Sequence, residues 1–145
     1  MREPQLRAAV GVLALAGAGI AAYLTYTRYS GAPIACATGG CETVQQSRYA
    51  LIAGIPVAVL GLVGYAALFA TALFRGVTAA TAGVGLAVVA LAVSAYLLVA
   101  QLALIHAVCQ WCLASDVVVS LIAVAAVWRY LCLAGLRATA LRRSS

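Results

Sequence analysis

Four long apolar runs, separated by short stretches of polar residues, dominate the chain. The first covers 8–27, twenty residues without a charged side chain. The second opens at Ile55-Pro56, continues to Phe74 and stops at Arg75-Gly76. The third runs over 77–105, and the fourth begins around Cys109 and Cys112 and fades between Arg129 and Leu133. About 20 apolar residues cross a hydrocarbon core of roughly 30 Å. Lipid offers a backbone no hydrogen-bond partners, so each span has to satisfy its own and is expected to be a helix. Proline suits the first turn of the second helix, where its missing N–H costs nothing. The pattern predicts one all-α membrane domain over 1–145, a four-transmembrane-helix bundle with spans at about 8–28, 55–74, 77–105 and 110–131 and a loop at 29–54. The third run exceeds what a bilayer needs, so it is expected to tilt or project. Gly61 and Gly64 in the second span, and Gly83 and Gly85 in the third, offer small faces for close helix contact. A cleaved signal peptide would also place Arg2 and Arg7 before an apolar stretch, but its apolar region is usually about 7–15 residues. The first run is therefore expected to stay as a true span.

Composition strengthens this picture. Hydrophobic residues make up 66% of the chain and charged residues only 8%, with a mean hydropathy of +1.10. A soluble domain of this size has too much surface for its volume to hide so many apolar groups. The net charge is +6, and all nine basic residues are arginine. These arginines stand at the ends of the runs and form no patch interleaved with aromatics, so a nucleic-acid partner is excluded and lipid is the expected surroundings. With the N-terminus in the cytoplasm, Arg2, Arg7, Arg75, Arg129, Arg137, Arg142 and Arg143 lie inside, and only Arg28 and Arg48 lie outside. That distribution obeys the positive-inside rule and puts both termini in the cytoplasm.

This orientation matters because of the cysteines. Cys36 and Cys41 fall in the outward loop, and Cys109 and Cys112 at the outer end of the fourth span, all on the face where disulfides persist. Cys132 lies at the inner end and is expected to be an idle thiol. The C-x-x-C spacing puts the two sulfurs on neighbouring faces of one helical turn. A helix N-terminus favours a thiolate there, and depressed pKa values make such thiols good nucleophiles and leaving groups. Cys36 and Cys41 bracket ATGG, whose glycines permit a tight, mobile turn. A mobile pair above a C-x-x-C fits exchange through a mixed disulfide. Two other readings of the four sulfurs stay open at this point, a zinc site and a structural disulfide. No haem, flavin or nicotinamide motif is present, so the electron acceptor expected within a bundle is a lipid-soluble quinone.

The loop pair, Ser47 six residues after Cys41, SRY at 47–49, GIPVAVLG at 54–61 and the late CQWC together resemble the vitamin K epoxide reductase family, in its bacterial branch. The resemblance covers nearly the whole chain. It implies a quinone held in a four-helix bundle, with a short lid helix at 42–51. It implies Cys109 and Cys112 as the redox centre, with Cys112 facing the quinone, and Cys36 and Cys41 as shuttle cysteines. A partner thiol would attack Cys36, Cys41 would exchange with Cys109, and Ser47 would order the loop near the quinone. It further implies a bacterial inner-membrane enzyme that supports disulfide formation. Some bacterial relatives carry a fused thioredoxin-like domain. Only twelve residues follow Leu133, so a separate thioredoxin-like or DsbA-like protein is expected to supply the thiols. A DsbB-like generator of disulfides has the two kinds of cysteine pair in reverse order. Two positions depart from the animal members. Val57-Ala58-Val59 lacks their asparagine, and Asp116 replaces their tyrosine four residues after the second C-x-x-C cysteine. Both put reduction of vitamin K epoxide in doubt.

Asp116 falls one turn beyond Cys112. An ionisable group inside a span is functional or paired, so it is read as a proton donor or hydrogen-bond partner for the quinone, with an ion pair to Arg28 or Arg48 or a snorkelled, partly hydrated carboxylate as the alternative. His106 would assist the Cys109 thiolate or simply cap a helix. Gln101, Tyr96 and Trp111 are candidate lining residues or interfacial anchors. No metal ligand set is assigned. The reading from another class is a metal-binding or redox-sensing membrane module without turnover. A small transporter is weaker still, because the chain shows no inverted repeat and no pair of broken helices.

Overall fold

The computed structural model describes residues 2–144. Its elements are helix α1 (Glu3–Ser30), a short helix α2 (Cys41–Gln46), a 3₁₀ turn (Arg48–Ala50), strands β1 (Leu51–Ile52) and β2 (Ile55–Pro56), and helices α3 (Val57–Leu73), α4 (Val77–Val99) and α5 (Gln110–Ser144). A π-helical turn, Ala100–Ile105, extends α4. Three of these helices are long and apolar enough to cross a membrane, and α3 is a shorter apolar helix. The protein is an all-α membrane protein by this architecture.

The helices pack around Val10, Ala14 and Ala21 of α1, Tyr65 and Leu68 of α3, Ala87 of α4, and Val119 and Ile122 of α5. Alanine at 14, 21 and 87 lets backbones approach, as expected where lipid gives helices no hydrophobic reason to associate. The glycines divide unevenly. Gly61 meets Ala21 at ordinary contact distance, and a Cβ at Gly83 would stand 3.1 Å from the Thr71 hydroxyl. Gly64 and Gly85 face open space, so their small size serves no packing within the chain. The tightest approach is at Gly17, where any Cβ would overlap the Tyr65 ring.

At about 1.5 Å per residue, the 17 residues of α3 rise only about 25 Å. Its C-terminal carbonyls have no intrahelical partners, and two arginines from other helices take them up. Arg7 of α1 donates to the Ala72 carbonyl at 2.9 Å and the Leu73 carbonyl at 2.8 Å. Arg129 of α5 donates to Thr71 at 2.9 Å and Phe74 at 2.7 Å, and its guanidinium lies 3.4 Å from Glu3. Arg129 is 2% exposed. It is therefore a buried helix cap as well as a flanking positive charge.

Two segments differ from their expected bounds. Helix α5 continues beyond 131 to Ser144, and its last buried residue is Arg129. The helical segment expected at 42–51 is interrupted at Ser47, whose backbone is extended (ψ 154°). The Ser47 hydroxyl and N–H both return to the Val44 carbonyl, at 2.7 and 3.2 Å. That capping ends α2 and starts the 3₁₀ turn, after which the two-residue strands pair antiparallel through a turn with Ala53 and Gly54 at positive φ.

Candidate redox site

Four cysteines converge at the end of the bundle opposite the arginine cap. Cys36 and Cys41 are joined in a disulfide, and Cys109 and Cys112 are free thiols. Cys41 and Cys109 are both fully buried, and both belong to one apolar cluster with Val44, on which Ile34, Cys36, Trp111 and Cys112 pack. Cys36 is the partly exposed sulfur of its pair.

The loop reaches this position because polar groups of α5 hold its backbone. The Trp111 indole donates to the Ala35 carbonyl at 2.7 Å, and its ring packs on Tyr23 with centroids 5.1 Å apart. The Tyr23 hydroxyl accepts from the Ala35 N–H at 2.9 Å. The Gln110 side chain accepts from the Ala37 N–H at 2.9 Å, and the Thr38 hydroxyl donates to the Val108 carbonyl at 2.7 Å. Gly40 lies so close to Val108 that an added Cβ would stand 2.7 Å from its backbone. Glycine is needed at 40 for close approach, a role that the turn-forming reading of ATGG did not include.

Cys109 precedes the first turn of α5, and its sulfur accepts the Cys112 N–H at 3.4 Å. The Cys112 thiol hydrogen bond, helped by the Cys112 and Trp111 backbone N–H groups and by Gln45, outweighs burial and lowers the Cys109 pKa to about 7. A free cysteine titrates near 8.5. Two glutamines flank the pair. Gln101, 1% exposed, accepts the Cys109 N–H at 2.8 Å and leaves its own Nε2 without a partner among the described residues. Its position follows from the π-helical turn, a geometry that recurs at functional sites. Gln45 of α2 donates from Nε2 to the Cys112 sulfur at 3.5 Å.

Asp116 lies one helical turn beyond Cys112. Its carboxyl hydrogen-bonds Ser94 of α4, and its Oδ2 is buried without a partner among the described residues. Neither arginine considered for it is engaged there, since Arg28 donates to the Gln45 carbonyl and Arg48 to the Tyr49 hydroxyl. The neighbouring Ser115 bonds the Tyr65 hydroxyl at 2.7 Å. His106 is exposed and sits in the left-handed region (φ 55°), where it closes the π-helical turn. Tyr96 is 45% exposed. Ser47 caps α2 at the far end from Cys41. A groove of about 680 Å³ along α5, lined by Ala123, Val127, Trp128, Leu131 and Cys132 among others, belongs to one apolar helix face and lies away from the four converging cysteines. Gln45, Gln110, Ser94, Ser115 and Tyr65 escaped the sequence reading. The available signal was their polarity inside or beside apolar runs.

The fold and site define a class, a helical membrane protein in which a disulfide-bearing loop is held against a dithiol at one end of the bundle. The chain belongs to the vitamin K epoxide reductase family, whose model matches residues 8–127. Family membership makes it an oxidoreductase, and quinones are the general partners of that family.

Proposed function

We propose that this chain is a quinone-linked thiol oxidase of the bacterial inner membrane, a four-span domain with both termini in the cytoplasm and the cysteines outside. The observation that carries the reading is the burial of Cys41 and Cys109 in one cluster, with Cys36 as the accessible sulfur of an existing disulfide. In this reading a separate thioredoxin-like or DsbA-like dithiol attacks Cys36 and releases Cys41 as a thiolate. A second attack by the partner resolves the mixed disulfide, so that two electrons enter the loop pair. Cys41 then attacks Cys109 of an oxidised Cys109–Cys112 pair, releasing Cys112, and Cys36 closes on Cys41. The result is the state observed, with the loop pair oxidised and the C-x-x-C reduced. Helix α2, with Ser47 at its end, serves as the lid over the site. The zinc reading is less favoured, because two of the four sulfurs it needs are bonded to each other.

The chain's own groups suit a quinone next to Cys112. Asp116 offers a buried carboxylate oxygen with no partner among the described residues, set between apolar helices that otherwise present few polar atoms. A quinone bound there would take up two electrons and two protons. Cys112 faces that position in this reading, and Asp116, held by Ser94, passes a proton at Oδ2. Asp116→Asn keeps the size and hydrogen bonding but removes the ionisable group. It should slow turnover and alter its pH dependence, and unchanged values of both would remove Asp116 from the proton path. The reading as a whole is tested by quinone-dependent oxidation of a reduced thioredoxin-like protein by the purified chain, with serine variants of the four cysteines in parallel. Activity surviving Cys112→Ser would refute it.

A further inference from the structure

We infer that Gln45 is a working part of the dithiol centre: its side-chain amide, carried on α2 and held there by Arg28, stabilises the negative charge shared by Cys109 and Cys112. The inference rests on the reading of these cysteines as the redox centre. Gln45 is 8% exposed and donates from Nε2 to the Cys112 sulfur at 3.5 Å. Cys112 in turn acts on Cys109 through its thiol and through its backbone N–H, which donates to the Cys109 sulfur at 3.4 Å, so the three groups form a chain from amide to thiol to thiolate. Each donor in such a chain polarises the next, and a dry setting strengthens the effect. The amide also acts on Cys109 directly, so it favours the charge on whichever sulfur carries it.

On its inner side helix α2 is anchored by Cys41 and Val44, which are buried against Cys109. A recess of about 370 Å³ separates it from the end of α1, lined by Thr27, Arg28, Ile34, Glu42, Gln45 and Gln46 among others. Across that gap the Arg28 guanidinium donates to the Gln45 backbone carbonyl. The same residue is therefore gripped by its backbone from α1 and spends its side chain on Cys112. Helix α2 begins at Cys41, so the donor to the inner thiols rides on the element that carries the outer disulfide. A neutral amide suits this position, because a carboxylate would repel a thiolate and an apolar side chain would donate nothing.

Stabilising the thiolate stabilises the reduced pair, which makes the Cys109–Cys112 disulfide a stronger oxidant of incoming thiols. The test equilibrates the full-length protein with a dithiol buffer. Two electrons and two protons pass from the small dithiol to the Cys109–Cys112 disulfide, and the trapped species are quantified by mass spectrometry. Gln45→Leu should shift that equilibrium about tenfold toward the disulfide, about 30 mV for a two-electron couple. Gln45→Glu should shift it further. Arg28→Met, which leaves the amide in place, should give a smaller shift of the same sign. The pH profile of thiolate absorbance from the reduced pair, which reads the Cys109 charge, should move upward in the same order, with Cys36–Cys41 still bonded. Neither readout involves a quinone, so a chain that fails to reduce quinones would leave this test intact. Equilibria and pH profiles within twofold of the parent in Gln45→Leu and Gln45→Glu would overturn the inference. So would a shifted equilibrium with an unmoved pH profile, which would reduce Gln45 to a structural contact.

Discussion

The two ends of the bundle are secured by different chemistry. At one end, Arg7 and Arg129 hold four carbonyls at the terminus of α3, and Glu3 lies between them at 3.9 and 3.4 Å. At the other, mainly neutral groups (an indole, two glutamine amides and a threonine hydroxyl) hold the loop and the cysteines, with Arg28 on the Gln45 carbonyl as the charged exception. Hydrogen bonds to charged groups are worth about 1.5–3 kcal/mol and neutral ones about 1. The charged end is built to stay closed. The cysteine end rests mainly on weaker bonds, as the proposed exchange of sulfur partners requires. A stronger ionic clamp there would fix the loop pair and distort the thiolate charge that the proposed exchange uses.

The largest effect should come from removing the buried cap. Arg129→Met fills the space but strands the Thr71 and Phe74 carbonyls, and should lower stability by about 3 kcal/mol. Thermal unfolding in detergent measures it, and a loss under 1 kcal/mol would show that the charged end is no firmer than the other. Arg7→Met removes the same kind of bonds from a more exposed site, so about 1 kcal/mol is expected. At the cysteine end, Trp111→Phe keeps the ring beside Tyr23 but loses the bond to the Ala35 carbonyl. The cost should be 1 kcal/mol or less, with faster hydrogen exchange confined to residues around 35–38. If unfolding were hit as hard as in Arg129→Met, the contrast between the ends would fail.

These contrasts explain which parts of the molecule could be read from the chain. The apolar runs gave the helices because lipid leaves a 20-residue stretch one backbone solution. The cysteine spacing marked the site because few other groups in the chain carry chemistry. Arg129 was legible only as a flanking charge, since the carbonyls it caps belong to a helix 55 to 58 residues away in sequence. For the same reason Gln45 escaped the sequence reading and Gln101 was legible only as a candidate lining residue. A glutamine in an apolar context signals that something polar is near, and only the packing of α2 and the π-helical turn says that it is a thiol or the amide beside it. The interruption at Ser47 is a side-chain capping event that helical periodicity does not encode.

The smallest effect on stability, and the most telling one about the cysteine end, concerns the Cys109 proton. Its pKa near 7 has the Cys112 hydrogen bond as its first cause, against the pull of burial. The folded value lies below that of the unfolded chain, so the thiolate contributes stability at pH above the unfolded value near 8.5, and the contribution is lost as pH falls through about 7. Cys112→Ala removes the donor and should return the Cys109 midpoint upward, toward or beyond 8.5, since burial then acts unopposed by that bond. Thiolate absorbance followed from pH 5 to 10 reads the midpoint directly. A variant that still titrates near 7 would assign the shift to the α5 N-terminus and its backbone N–H groups, and the dithiol would then be tuned by the helix rather than by its own second sulfur.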